Sequence, residues 1–448
     1  MEFHNSISKS PRAFDTSLGA EVAEIFGNRP REIHDLLRGV SGSSPYLKSL
    51  IIREKDWLNN AFDQSGEVLD RVFSELSCLK AKDIAKELRK TKRRVALWVA
   101  LCDLGGVWDL SKVMNTMTDF ADLAVKLAFN NAFQSQIEKG AIPGVNKGFD
   151  PDRLGVFVLG MGKMGAHELN YSSDIDLICF FDENRFDEDS FHRARTSFIS
   201  ATRKMCSILS DINDEGYVFR TDLRLRPDPA VTPICMGLEA AERYYESVGR
   251  TWERAAYIKA RVVAGDYNTG SEFLQRIQPF VWRKHLDFAA IEDAYRLRSA
   301  IFDHKGYSGA VFLPGHDIKL GKGGIREIEF FTQTRQLIAG GRDKKLRTSK
   351  TLHGLDLLAK SGWITEKVAV SLENCYIAHR ITEHRLQMIQ DAQTHNLPKT
   401  DEGFARLAAL MSTNVQSLKK DLLERINLVH ELTGEFFKEP LQLMVPEK

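Results

Sequence analysis

Most of this chain carries its apolar residues at helical spacing, but one short stretch breaks the pattern. Val156-Phe157-Val158-Leu159 is apolar without interruption and stops at Gly160. Such a run, bounded by a breaker, reads as a strand buried on both faces. Two further strands are predicted, Asp174 to Phe181 and Tyr217 to Arg226, with a helix from about Glu188 to Leu209 between them. The segment from about 150 to 280 is therefore mixed α and β. Before it, Phe120, Leu123, Ala124, Leu127 and Ala128 form a helical stripe with Thr118 as its N-cap, while residues 1 to about 25 read as an irregular lead-in. Gly140-Ala141-Ile142-Pro143-Gly144-Val145-Asn146-Lys147-Gly148 marks a boundary or long loop. After about 281 helices return: Glu366 to about Ala392, introduced by Thr365, then a Val415, Leu418, Leu422, Ile426, Val429 stripe suited to a bundle. The expected fold is α+β and predominantly α-helical. A helical region over 1–139, an α/β core over 140–280 and a C-terminal helical bundle over 281–448 make three parts, as 448 residues at roughly 150 per domain suggest.

Charge and cysteine usage narrow the function classes. Lys+Arg 62 against Asp+Glu 61 leaves +1, without the basic surplus of a general nucleic-acid binder. The six cysteines are never closer than 24 residues, so no zinc-knuckle or CxxC spacing exists and they read as isolated reduced thiols. The longest apolar run, Val95 to Cys102, is eight residues, and the start has no basic region followed by an apolar one. A cytoplasmic protein with no membrane and no nucleic-acid partner is expected.

The richest stretch runs from Gly160-Met161-Gly162-Lys163-Met164-Gly165 to Ser172-Ser173-Asp174-Ile175-Asp176-Leu177. It contains G-x-G-x-x-G after a strand, with Asp182 22 residues past Gly160, as in a dinucleotide fingerprint. Two features oppose that reading. Only nine residues separate Gly165 from Ile175, leaving about two turns of helix, short for a crossover. The fingerprint also gives no reason for two aspartates entering the next strand. A Walker P-loop and a G-x-S-x-G elbow are both missing. His379 and His384, five apart, do not match an i, i+4 zinc pair and read as surface or interhelical residues.

Residues two apart on a strand share a face, so Asp174 and Asp176 point the same way. On the third strand Arg220, Asp222, Arg224 and Arg226 share one parity. If the strands are neighbours, three carboxylates converge, a hard oxygen set suited to Mg²⁺. Two such ions can clamp the attacking and leaving oxygens of a displacement at phosphorus. The arginines would bind phosphate, and the glycine-loop amides a phosphate group. The bland alternatives are an exposed Asp-x-Asp and a glycine turn that only lets a short helix pack.

Read together, these blocks resemble the glutamine synthetase adenylyltransferase/adenylyl-removing enzyme family. So do Asp222-Leu223-Arg224-Leu225-Arg226-Pro227, Tyr244-Tyr245, Trp252-Glu253-Arg254 through Lys259-Ala260-Arg261, and Lys319-Leu320-Gly321-Lys322-Gly323-Gly324-Ile325-Arg326-Glu327-Ile328-Glu329-Phe330. The resemblance runs from about residue 44 to the end. It implies a nucleotidyltransferase core like that of polymerase β, with Asp174, Asp176 and Asp222 catalytic and holding Mg²⁺, two ions in all. Gly160, Gly162, Lys163, Ser172, Ser173, Arg224 and Arg226 would bind phosphate or nucleotide. The family carries two such halves in one chain. A single motif set behind a Met and a polar leader resembles the N-terminal half, which removes AMP from a glutamine synthetase tyrosine by phosphorolysis, giving ADP. Phosphate is already an anionic nucleophile, so no strong general base is required. Adenylylation from ATP on the same fold is the alternative, ahead of a helical regulatory scaffold or a dinucleotide-binding protein. Glutamine synthetase and the signalling protein PII, in its modified form, are the implied partners in control of nitrogen assimilation. Glu253, Lys259, Arg326 and Glu327 lie in matching blocks without a role from spacing; salt-bridged structure and substrate contact both remain open.

Overall fold

The computed structural model describes residues 2–64, 67–79, 83–283 and 311–436. Its sheet contains strands β1 (Val156–Gly160), β2 (Asp174–Phe181), β3 (Arg220–Asp222), β4 (Cys235–Gly237) and β5 (Arg261–Gly265). The order is β3-β2-β1-β5, with β4 also on β2. β1 runs antiparallel to both β2 and β5, while β2 is parallel to β3 along its first residues and to β4 along its last.

Alternation along the central strands builds two cores. Val156, Val158, Ile175, Leu177, Cys179 and Phe181 join one, and Phe157, Leu159, Ile178 and Phe180 the other. By the same parity Asp174 and Asp176 lie on the second face. The strand is apolar on both sides except where these two carboxylates enter it.

Helices α1 (Thr16–Glu24), α2 (Arg31–Ser43), α3 (Pro45–Arg53), α4 (Lys55–Phe62), α5 (Val68–Ser77), α6 (Ile84–Leu104) and α7 (Leu110–Glu138) precede the sheet. Two expectations fail here. The supposed irregular lead-in holds α1, capped by the Asp15 carboxylate on the Ser17 and Leu18 amides. It packs tightly on α2, since a Cβ on Gly19 would lie 2.5 Å from the Arg38 carbonyl oxygen. Thr118 caps nothing. Helix α7 starts at Leu110, where Asp109 accepts from the Lys112 amide, and runs straight through the buried Thr118. The Thr118 hydroxyl donates to Met114 O and accepts from the Leu169 amide instead.

Within the α/β part come α8 (Gly162–Gly165), α9 (Glu188–Ser210), α10 (Leu238–Ser247), α11 (Thr251–Tyr257), α12 (Tyr267–Arg276) and α13 (Gln278–Val281). The third predicted strand is cut short. β3 ends at Asp222, whose carboxylate accepts from the Arg224 amide at 2.8 Å and turns the chain. Leu223 to Arg226 therefore lie in a loop, not on a strand face.

The C-terminal helices are α14 (Ile325–Ala339), α15 (Thr351–Lys360), α16 (Glu366–Gln390), α17 (Asp401–Leu410) and α18 (Val415–Phe436). Thr365 caps α16 through the Val368 amide, as expected. The stretches 284–310 and 437–448 of the predicted bundle lie outside the described residues. The helices after the sheet meet those before it directly: Arg385 of α16 forms a two-pronged pair with Asp103 of α6 at 2.6 and 2.7 Å, and Ser44 donates to Met388 O. His379 and His384 are interhelical and fully buried on α16. Among the described residues no helix is long and apolar enough to cross a membrane.

Candidate active site

Parallel pairing of β2 with β3 sets Asp174 opposite Arg220 and Asp176 opposite Asp222. One oxygen from each of Asp174, Asp176 and Asp222 lies within 4.8 Å of the others. The glycine turn closes over them. Gly162 has φ +53°, and a Cβ there would stand 2.8 Å from Asp176 Oδ2, so both backbone shape and the carboxylate demand glycine. The Met161 amide donates to Asp176 O, fastening the turn to β2. The helix behind it is a single turn and its Gly165 is pressed onto Lys259, whose carbonyl oxygen a Cβ would meet at 1.8 Å.

The three carboxylates are not alike. Burial pushes Asp176 up to about 6, and the charges of Asp174 and Asp222 add to this. The bond from Arg224 holds Asp222 below its ordinary range. Arg224 folds back to grip both Asp222 oxygens, 2.5 Å from Oδ2 at the closest, yet its side chain is 82% exposed. Asp174 accepts a neutral donor, Nε2 of Gln393, at 2.7 Å. This set fits a divalent cation: hard oxygens converge, and Asp176 is held short of positive charge. Its residues would be Asp174, Asp176 and Asp222.

Asp174 and Asp176 line a cavity of ≈ 590 Å³. Trp252 and Ala255 of α11, Leu225 and Phe330 give it an apolar side, while Lys319 and Arg326 give it a cationic one. Arg326 is exposed there. Lys319 sits in a turn closed by Asp317 Oδ1 on the Lys319 and Leu320 amides, leading into α14. Sequence reasoning left Arg326 without a role and missed Lys319, Trp252, Phe330 and Gln393. The Gly321-Lys322-Gly323-Gly324 run was the available signal: Gly323 has φ +67° and lets the Ile426 carbonyl approach, which seats the turn against α18.

Several expected phosphate ligands are otherwise engaged. Gly160 sits under Val263, and Ser173 lines the cavity beside Gly162. Ser172 is buried, its amide donating to Gln387 and its hydroxyl accepting from Arg220 at 3.0 Å. Arg226 binds the carbonyls of Leu223, Pro229 and Thr232, bracing its loop away from the carboxylates, because the strand that was to carry it has ended. Lys163 also lines the cavity, but its ammonium is 2.9 Å from the fully buried Glu383. Burial brings Lys163 down to about 7 against the pull of Glu383.

A second, buried network lies behind the turn. Lys259 pairs with Glu168 at 2.9 Å and Glu329 at 3.3 Å, and Glu168 accepts from the amide and hydroxyl of Thr351. Burial opposes ionisation of Glu329, but Lys259 and then Arg326 bring it down to about 2. Glu253 caps α11 at the Arg250 amide, and Glu327 accepts from Thr433. Of the four residues left open by the sequence, Glu253, Lys259 and Glu327 hold internal bonds, and Lys259 and Glu327 line the cavity together with Arg326.

A family description, glutamate-ammonia ligase adenylyltransferase, matches residues 34–276. Another, GlnD PII-uridylyltransferase, matches residues 294–437. The bifunctional glutamine synthetase adenylyltransferase/adenylyl-removing enzyme of Bradyrhizobium sp. (strain ORS 278) is 43% identical over 431 residues, covering 95% of this chain and 43% of that protein. The protein of the same name from Rhodopseudomonas palustris (strain TIE-1) is 40% identical over 94% of this chain and 43% of its own. That from Brucella melitensis biotype 1 is 42% identical over 89% and 41%. The chain spans less than half the length of these relatives.

Proposed function

For a chain that belongs to the glutamate-ammonia ligase adenylyltransferase family, we propose metal-dependent removal of AMP from adenylylated glutamine synthetase. A phosphate oxygen attacks the phosphorus of the adenylyl-tyrosine, the bond from phosphorus to the tyrosine oxygen breaks, ADP leaves and the tyrosinate takes up a proton. The observation that carries nucleotidyl transfer is the convergence of Asp174, Asp176 and Asp222, the first two of which line the cavity under the glycine turn. Removal over addition rests on the resemblance to the N-terminal half alone, to which the wording Ser172-Ser173-Asp174-Ile175-Asp176 belongs as part of that resemblance.

Asp174, Asp176 and Asp222 would hold Mg²⁺. When bound it supplies positive charge to the phosphate oxygens and to the departing tyrosinate, whose free pKa is about 10. The chain provides the remaining parts. Lys319 and Arg326 attract the attacking phosphate, Arg326 with a fork that matches two oxygens. Trp252 and Phe330 offer flat apolar surface to the adenine. Arg224, exposed beside Asp222, can turn outward to an anion. The match of residues 294–437 to a PII-uridylyltransferase description supports PII as the regulatory partner, and the resemblance implies its modified form. A cytoplasmic setting follows from such substrates.

The test is to incubate adenylylated glutamine synthetase with the chain, Mg²⁺ and phosphate. ADP is the expected product. Transfer of AMP from ATP to unmodified glutamine synthetase, with pyrophosphate released and no response to phosphate, would overturn the direction.

A further inference from the structure

The segment leaving α16 runs back to the carboxylates. The helix ends at Gln390 because Asp391 adopts φ 50°, two residues short of the predicted Ala392. Alternate side chains of the next residues then reach separate parts of the site. Asp391 Oδ2 accepts from the Tyr217 hydroxyl at 2.9 Å, just ahead of β3. Gln393 Nε2 donates to Asp174 Oδ1 on β2. His395 Nδ1 lies 2.8 Å from Glu383, the carboxylate that holds Lys163 of the glycine turn. The backbone is fixed too: Ile318 N donates to His395 O, and Asn396 pairs with Asp317 beside the Lys319 turn. Gln393 therefore hangs between two anchored points, two residues to either side.

We infer that Gln393 is a positioning residue for the cation site, its amide fixing the rotation of the Asp174 carboxylate from the C-terminal helical region. This rests on the reading of the three aspartates as metal ligands. Among the described residues no other side chain donates a hydrogen bond to Asp174. Its neighbour Asp176 repels it, so a carboxylate freed from Gln393 would rotate away from the cluster. The chemistry of the donor matters. Arg224 neutralises Asp222, whereas an amide orients Asp174 and leaves its full charge for a cation. The arrangement also makes the nucleotidyltransferase carboxylates depend on a residue more than 200 positions later, at the end of a bundle helix.

The experiment titrates the full chain calorimetrically with Mn²⁺ alone, in wild type, Gln393→Met, Gln393→Ala and Asp174→Asn, and records the melting temperature of each metal-free protein. Methionine keeps the length of this exposed side chain and removes its amide, the donor to Asp174 included. The expected result is binding weakened about tenfold or more in both Gln393 variants, lost in Asp174→Asn, with metal-free melting unchanged. Wild-type Mn²⁺ affinity in Gln393→Met, with binding lost in Asp174→Asn, would overturn the positioning role while leaving the metal reading intact. A lower metal-free melting temperature in Gln393→Met would also overturn it, in favour of a brace. Undiminished Mn²⁺ binding by Asp174→Asn would overturn the metal reading and the inference with it.

Discussion

Two clusters of carboxylates sit within one cavity wall of each other and have opposite fates. Around Lys259 and Lys163, the acids Glu168, Glu329 and Glu383 are buried with cations that the chain itself supplies. Burial alone would keep Glu383 protonated, yet Lys163, His395 and Arg380 hold it well below its ordinary value. Around Asp176 the chain supplies too little: Arg224 serves Asp222, Gln393 brings no charge, and Asp176 is pushed up. Asp222 has Arg224, while Asp174 and Asp176 form no ion pair among the described residues, and on the proposed function a cation from solution would serve them. The first cluster locks the glycine turn to the helices, and the second is the one proposed to hold the metal.

The comparison breaks most visibly in turnover. Asp174→Asn should lower phosphorolysis by roughly a thousandfold or more, since it removes a ligand from a metal-assisted transfer, while its melting temperature stays at the wild-type value. Glu383→Gln should do the reverse of that in stability. It strands Arg380 and Lys163, and breaking a buried pair costs about 3–5 kcal/mol, read as a lower denaturant midpoint.

Acid should act on the two clusters with opposite sign. Asp176 titrates near about 6 in the folded chain instead of 3.8, so between those values only the fold binds its proton. The metal-free protein is therefore relieved at Asp176 as pH falls from about 6 toward 4. Glu329 titrates at about 2 instead of 4.5, so its contribution is complete above 4.5 and is lost as pH falls toward 2. In melting curves without metal, Asp176→Asn should be more stable than wild type at pH 7, and the gap should narrow at pH 5. A gap that widens on acidification contradicts the assignment. The smallest effect belongs to Arg224→Lys, expected to raise the phosphate requirement a few-fold with melting unchanged. Arg226→Lys should instead lower the melting temperature, because three loop carbonyls depend on that guanidinium.

What could be read from the sequence was what local rules determine. The Val156 strand, the alternation that sets Asp174 and Asp176 on one face, the extent of α9 and the cap of α16 need only neighbours within a few residues. The errors came where a side chain competed with the local pattern. Asp222 and Arg224 alternate like strand residues, but the Asp222 carboxylate captures the Arg224 amide and ends β3. Thr118 is a good cap by type, yet Asp109 starts the helix earlier and tertiary burial claims the threonine. The family resemblance places Lys163 at the phosphate; it does line the cavity, and its pairing with a residue 220 positions away is what the sequence does not show. Gln393 and Lys319 entered the site by the same long-range route, which no spacing rule reaches.

The central claim is that the carboxylates short of a cation carry the reaction. Its most direct measurement is phosphate-dependent ADP formation from adenylylated glutamine synthetase by wild type and Asp176→Asn, with excess Mg²⁺ and with chelator. The account predicts ADP from wild type with Mg²⁺, none with chelator, and none from Asp176→Asn under either condition, although the variant folds at least as stably. ADP formed by Asp176→Asn at the wild-type rate would contradict it.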